Sequence, residues 1–209
     1  MIEATRLFAL RHGQTAWNAE MRIQGHFDQP LNDTGRWQAA RLAQALAGED
    51  LAVIYSSDLQ RALATAQALA AATGAPLTTD VRLRERAFGR FEGQTYADVA
   101  RDWPEEAERW RRREAEFGPG GGEPLRPFYE RCVGTVLELA AGHAGQAIAI
   151  VAHGGVLDCL YRAAVGVELA APRSWQVGNA TINRLLFNGE RLTLVGWSDN
   201  GHLDGDALA

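Results

Sequence analysis

The sequence predicts an α/β fold: three layers, α/β/α, with a mostly parallel central sheet, one antiparallel edge and a small helical lid insertion. Three observations carry that prediction. Short apolar runs alternate with helix-patterned segments along the whole chain, and that order gives a parallel sheet covered on both faces. Two of the runs, Leu7-Phe8-Ala9-Leu10 and Ala147-Ile148-Ala149-Ile150-Val151-Ala152, lead directly into Arg11-His12-Gly13 and His153-Gly154-Gly155. Open α/β sheets place their ligands at the carboxyl ends of such strands. The last two strand patterns flank Asn188-Gly189, a dipeptide suited to an antiparallel hairpin turn.

The elements follow in order. Residues 5–10 form the first strand. Asn32 or Thr34 caps a helix running through Leu46, and Gly48 stops it. Val53-Ile54-Tyr55 is a second short strand. Asp58 is expected to cap a helix whose apolar positions Leu59, Leu63, Ala66 and Ala70 keep helical spacing. Gly74 and Pro76 end it and lead into a short strand at Leu77-Thr78. Residues 95–117 are polar, helical and rich in tryptophan and arginine. Residues 118–124 form a loop, whose glycines are expected to hinge the lid. They lack the GxGxxG and Gly-Lys-Ser spacings of a phosphate cradle. A long helix spans Leu125 to Ala141 and is stopped by Gly142. The strand before His153 and another helix follow, then strands near Ile182–Phe187 and Leu192–Trp197. The chain, 1–209, is read as a single domain with a lid insertion at about 90–123.

Bulk properties narrow the function. The chain has 209 residues, 46% hydrophobic and 22% charged, an ordinary balance for a globular protein. A net charge of −5 argues against nucleic acid or an anionic membrane as partner. Cys132 and Cys159 are the only cysteines and form no CxxC pair, so neither a zinc knuckle nor a disulfide framework is expected. No signal peptide pattern is visible and the apolar runs fall short of a membrane span. A cytoplasmic setting is the expectation.

The two strand-end histidines point to one site built from two distant segments. Arg11 beside His12 offers a planar fork of donors suited to a phosphate dianion. The stretch Leu10-Arg11-His12-Gly13-Gln14-Thr15-Ala16-Trp17-Asn18 resembles the signature of the histidine phosphatase superfamily, which includes cofactor-dependent phosphoglycerate mutases and many small phosphatases. Arg22-Ile23-Gln24-Gly25 with Pro30-Leu31 and Thr34-Gly35 resembles that family's first loop. Ser56-Ser57-Asp58-Leu59-Gln60-Arg61-Ala62 resembles the segment of its second arginine, and Leu83 to Gly93 its acid segment. Gly121-Gly122-Glu123 and Ala152-His153-Gly154-Gly155 are similar to its later landmarks.

The resemblance implies that His12 is a nucleophile forming a phosphohistidine, that Arg11, Arg61 and His153 hold the phosphoryl oxygens, and that Glu85 is the general acid. The residue chemistry agrees. A neutral imidazole is a fair nucleophile near neutral pH. Two guanidiniums offset the repulsion met in attacking a dianion. A carboxyl group can protonate the leaving alkoxide and then accept a proton from water. Asn18, Gln24, Gly25, Gly154, Arg86 and Phe88 are expected to bind phosphate or substrate. Trp17 and Trp103 are expected to line the leaving-group pocket with Phe88, and Glu92 to shape it. Asn179 is expected near the site on a looser match. His26, His143 and His202 are read as structural, and Trp37 and Tyr129 as core. The run Arg109, Arg111, Arg112 and Arg113 reads as a solvated helix face, with Arg111 and Arg112 resembling a lid stretch of the mutases. Arg86 and Arg90 suggest a second anionic group on the substrate.

Within the resemblance the acid segment is a hybrid: family phosphatases often carry an acidic residue at position 87, where this chain has Ala87. Mutases have a histidine where Ala87 stands and a tyrosine where Phe88 stands, and the lid is shorter than a mutase lid. A smaller lid admits water and favours hydrolysis. The expected function is therefore a phosphohistidine-dependent phosphatase of small phosphomonoesters, needing no cofactor and no metal. A phosphoglycerate mutase and a catalytically inactive phosphoester-binding module are the alternatives. A metal-dependent hydrolase with His12, His153 and Glu85 as ligands fits no common zinc spacing. The expected partner is a small phosphorylated metabolite, with a homodimer through the late strands and Trp197 an open possibility.

Overall fold

The computed structural model describes residues 3–204. The expected domain, 1–209, includes residues 1–2 and 205–209, which lie outside the described residues. In chain order the elements are β1 (Thr5–Arg11), α1 (Ala16–Ala19), α2 (Asp33–Ala45), β2 (Leu51–Ser56), α3 (Gln60–Thr73), β3 (Leu77–Thr79), α4 (Tyr96–Asp102), α5 (Pro104–Arg111), α6 (Leu125–Ala141), β4 (Ala147–Ala152), α7 (Gly154–Val165), β5 (Ile182–Phe187) and β6 (Leu192–Asp199). The six strands form one sheet in the order β3-β2-β4-β1-β5-β6. β3, β2, β4 and β1 run parallel, and β5 pairs antiparallel with both β1 and β6.

The strand alternation sorts side chains onto two faces. Leu7, Ala9, Ile148, Ile150 and Ala152 pack into one core with α6 and α7. Phe8, Leu10, Ala147, Ala149 and Val151 face the other, with α2 and α3. β4 is buried at every position, as befits a central strand covered on both sides. A third, small core of Ile23, Phe91 and Val99, flanked by Phe88, Trp103 and Trp110, holds α4 and α5 outside the sheet.

Several elements differ from the sequence reading. β1 extends to Arg11, and β2 takes in Leu51 and Ser56. Asp58 does not cap α3: its carboxylate accepts from Arg84 Nε at 2.7 Å, and the cap position is Leu59, with no side-chain cap bond. Asp28 satisfies the first turn instead, accepting from the Gln60 N–H at 2.7 Å. The 95–117 segment is two helices, because Pro104 starts a new one after Trp103 and proline excludes the helical conformation from the residue before it. The 118–122 loop is no free hinge. Pro119 and Gly120 are buried, and a Cβ on Gly122 would lie 2.1 Å from the Ala87 carbonyl oxygen, so this loop packs backbone to backbone on the acid segment. Tyr129 packs against the core, whereas Trp37 is half-buried and outside the core clusters.

Candidate active site

Parallel pairing of β1 with β4 sets Arg11 opposite Ala152. The His12 N–H then donates to the Ala152 carbonyl at 3.1 Å, so the next residue of each strand, His12 and His153, lie side by side. Their ring centroids are 5.2 Å apart and both are buried. His12 Nδ1 lies 2.7 Å from its neighbour's carbonyl, that of Gly13. A carbonyl only accepts, so Nδ1 carries the proton and Nε2 keeps its lone pair. The glycine after His12 has a steric reason: a Cβ there would sit 2.3 Å from the Gly35 carbonyl oxygen in the first turn of α2.

Arg61 enters from the first turn of α3 and is buried. Its guanidinium is held by the carbonyls of Phe27, 3.0 Å, and Gly25, 2.8 Å. Arg11 Nη1 donates to the Val177 carbonyl. The buried Nε atoms of Arg11 and Arg61 and both ring nitrogens of His153 have no hydrogen-bond partner among the described residues. Burial, then Arg61 and Arg11, push His12 well below the usual imidazole range. Burial, then Arg61 and His12, do the same to His153. Burial pulls Arg61 down to about 10. Buried polar groups are normally paired, so unpaired donors around a neutral imidazole mark a place for an anion.

Glu85 reaches the same hollow. Its carboxylate accepts from the Gly155 N–H at 2.9 Å and from the Arg86 N–H at 2.8 Å. A Cβ on Gly155 would lie 2.2 Å from Glu85 Oε1, so glycine at the start of α7 is what lets the carboxylate in. Arg11, His12, Asn18, Gln24, Gly25, Arg61, Glu85, Arg86, Phe88 and Gly154 all line one pocket of about 1150 Å³. His153, fully buried against the His12 ring, is not among the residues that line it.

The supporting residues have definite places. Asn18 Oδ1 accepts from the Thr15 N–H at 3.1 Å and completes a capping box at α1. Gln24 Oε1 accepts from Thr15 Oγ1 at 2.9 Å. Asn179 does reach the site, donating to the His12 carbonyl at 3.0 Å. Glu92 ties two pocket loops together by accepting from the backbone of His26, 3.1 Å, and Phe88, 2.9 Å. His26 buttresses the acid segment through the Glu85 carbonyl, 2.8 Å. Arg86 is buried on the carbonyls of Glu123 and Phe117, and burial brings it to about 10. Trp17 lines the pocket, but Trp103 packs at a tilt against Phe91 in the small core. Arg90 is also outside, paired with Glu106 and lying over Trp103, so of the two arginines expected to meet a substrate anion only Arg86 lines the pocket. Arg109 and Arg112 pair with Glu114 and Glu108 on the surface. Arg111 lines the pocket while paired with Glu108. Arg113 turns inward instead, lining the pocket and donating to Asp158 at 2.8 Å.

Sequence reasoning missed Asp158, Arg173 and Trp175, which also line the pocket. Only Asp158 carried a signal, four residues beyond Gly154 on the helix that starts at the site. Among the described residues no group of three or more His, Cys, Asp or Glu side chains is arranged to hold a metal ion, and no helix is long and apolar enough to cross a membrane.

The sequence model described as the histidine phosphatase superfamily (branch 1) matches residues 7–200. The chain belongs to that superfamily. Within it, the chain is 38% identical over 207 residues to "Phosphoglycerate mutase-like protein 4" of Arabidopsis thaliana, covering 97% of this chain and 89% of that one. It is 40% identical over 187 residues to "Glucosyl-3-phosphoglycerate phosphatase" of Mycolicibacterium vanbaalenii, covering 84% and 81%. A solved mycobacterial glucosyl-3-phosphoglycerate phosphatase in complex with VO3 superposes with a TM-score of 0.84 at 35% identity, over 93% of this chain and 99% of that chain. The superfamily's α/β fold is the one seen here.

Proposed function

We propose that this protein hydrolyses small phosphomonoesters through a phosphohistidine on His12. It is a phosphoric monoester hydrolase of the histidine phosphatase superfamily, and its residues divide the work as follows. The His12 Nε2 lone pair forms the N–P bond as the P–O bond to the leaving group breaks, and Glu85 gives its proton to the departing oxygen. Water then attacks phosphorus, Glu85 takes the proton released, and the N–P bond breaks to free His12. Arg11, Arg61 and His153 hold the equatorial oxygens throughout. The observation that carries this reading is the set of buried, unpartnered nitrogens on Arg11, Arg61 and His153 around an imidazole whose Nδ1 is already committed.

The two-helix segment α4–α5 supplies one wall of the pocket and serves as its lid. No residue of the mechanism calls for a metal or cofactor, and the free cysteines Cys132 and Cys159 fit a reducing, cytoplasmic compartment. The purified protein is expected to hydrolyse p-nitrophenyl phosphate in EDTA, and His12→Ala to lose about 10⁴-fold or more in kcat. Undiminished turnover by His12→Ala would overturn the nucleophile. The mutase names among the relatives support a second reading. Bisphosphoglycerate-dependent interconversion of 3- and 2-phosphoglycerate, faster than hydrolysis, would establish it.

A further inference from the structure

α7 carries the site outward. Its first turn holds Glu85 through Gly155. Asp158 lies one turn further on, three residues from Gly155 and so on the same helix face, about 4.5 Å along the axis. It lines the same pocket. One carboxylate oxygen is fully engaged: Oδ2 accepts from Arg113 Nη2 at 2.8 Å and from Arg162 Nε at 3.0 Å. The other, Oδ1, is buried and has no partner among the described residues. Two donors of the neighbouring residues are in the same condition. Arg162 Nη2 and Trp175 Nε1 are both buried and unpartnered, and the Arg162 guanidinium lies over the Trp175 ring at 4.8 Å. Trp175 also lines the pocket.

Two of these unpartnered atoms belong to residues that line the pocket, the acceptor Asp158 Oδ1 and the donor Trp175 Nε1, and Arg162 Nη2 is a further unpaired donor behind them. A carboxylate or second phosphate has nothing to donate to Oδ1 and meets its negative charge. An ammonium has nothing to accept from Nη2 or Nε1 and meets Arg113 and Arg162. A hydroxyl does both jobs. Resting on the phosphatase reading above, we infer that Asp158, with Trp175, is a subsite for a hydroxyl on the leaving group, and that the preferred substrates are phosphomonoesters of polyols or sugars. A site built to hydrogen-bond a hydroxyl rejects analogues that lack it, because its own polar atoms are then left unpaired.

The test compares matched pairs: glycerol 3-phosphate with propyl phosphate, ribose 5-phosphate with pentyl phosphate, glucose 6-phosphate with hexyl phosphate. At least one hydroxylated member is expected to have a tenfold or greater advantage in kcat/KM. Asp158→Ala is expected to reduce that ratio to within about twofold of unity. Trp175→Phe removes a single donor while keeping a ring beside Tyr161, and is expected to reduce the ratio at least threefold. It also keeps the test alive if Asp158→Ala fails to fold. Ratios near unity for every pair in the wild type, the result if a bound water fills the cluster, would overturn the proposal. So would a ratio unchanged in Trp175→Phe. Turnover of p-nitrophenyl phosphate, measured alongside, separates loss of this subsite from failure of the phosphatase reading itself.

Discussion

At the scale of single residues, the site works by withholding partners. Arg61 is almost inaccessible to solvent at 1%, and a buried guanidinium is normally matched by a carboxylate. Here it is braced by two backbone carbonyls, which orient it without neutralising its charge. The charge is left for the substrate. Arg61→Gln is therefore expected to lower kcat/KM for p-nitrophenyl phosphate by about 10²–10³-fold, with the folded state intact by circular dichroism. Arg84, only one position before Glu85, does the opposite. It pairs with Asp58, so Arg84→Gln is expected to leave kcat/KM within about twofold while the two-residue shift to Arg86 falls inside the pocket wall.

At the scale of elements, two contacts govern the site. The first is between α7 and the acid segment. Gly155→Ala puts a methyl group where Glu85 Oε1 now sits, so the carboxylate must move. Its activity is expected to fall by about 10²–10⁴-fold, the usual worth of general acid help, and Gly155→Ala combined with Glu85→Gln to fall little further than either alone. Additive losses in the double variant would mean that Gly155 acts in some other way. The second contact is between α4–α5 and the sheet-bound part of the chain, through the small core around Phe91. Phe91 is fully buried, and Phe91→Ala is expected to cost about 3–5 kcal/mol in urea denaturation.

At the scale of the whole molecule, the buried histidines link function to stability. His12 and His153 are neutral when folded, with burial and two arginines holding both well below 6.5, while in an unfolded chain they titrate near the ordinary value of about 6.5. Below pH 6.5 the unfolded state therefore binds more protons than the folded one, and stability falls as pH falls through that window. Thermal melts at pH 7.5, 6.5 and 5.5 are expected to show a progressive drop in Tm on acidification. The drop should be smaller in a His12→Gln, His153→Gln double variant. Inorganic phosphate, by engaging the unpaired donors, should raise Tm at each pH. The same depressed pKa keeps His12 unprotonated across the neutral range, as the proposed nucleophilic role requires.

The sequence by itself determined the strands, the long helices and the identities of most residues that gather at the strand ends. Period-2 alternation and glycine stops are local signals, and Leu125–Ala141 or Ile182–Phe187 could be read from them directly. The sorting of that gathering was left to tertiary structure. Asp58 read as a cap because Asp is a good one, yet an arginine from another segment claimed it. Arg86 and Arg90 looked alike along the chain, and only packing sent one inward and the other to Glu106. Of the glycines read as a hinge, Gly120 and Gly122 proved to be packing glycines because the acid segment lies against them. Asp158 and Trp175 reached the pocket from far along the chain, through the folding of α7 and the loop after it. Local propensity is written in neighbouring residues. Which polar atom is left without a partner depends on every segment that arrives beside it, and that is known only once the chain has closed.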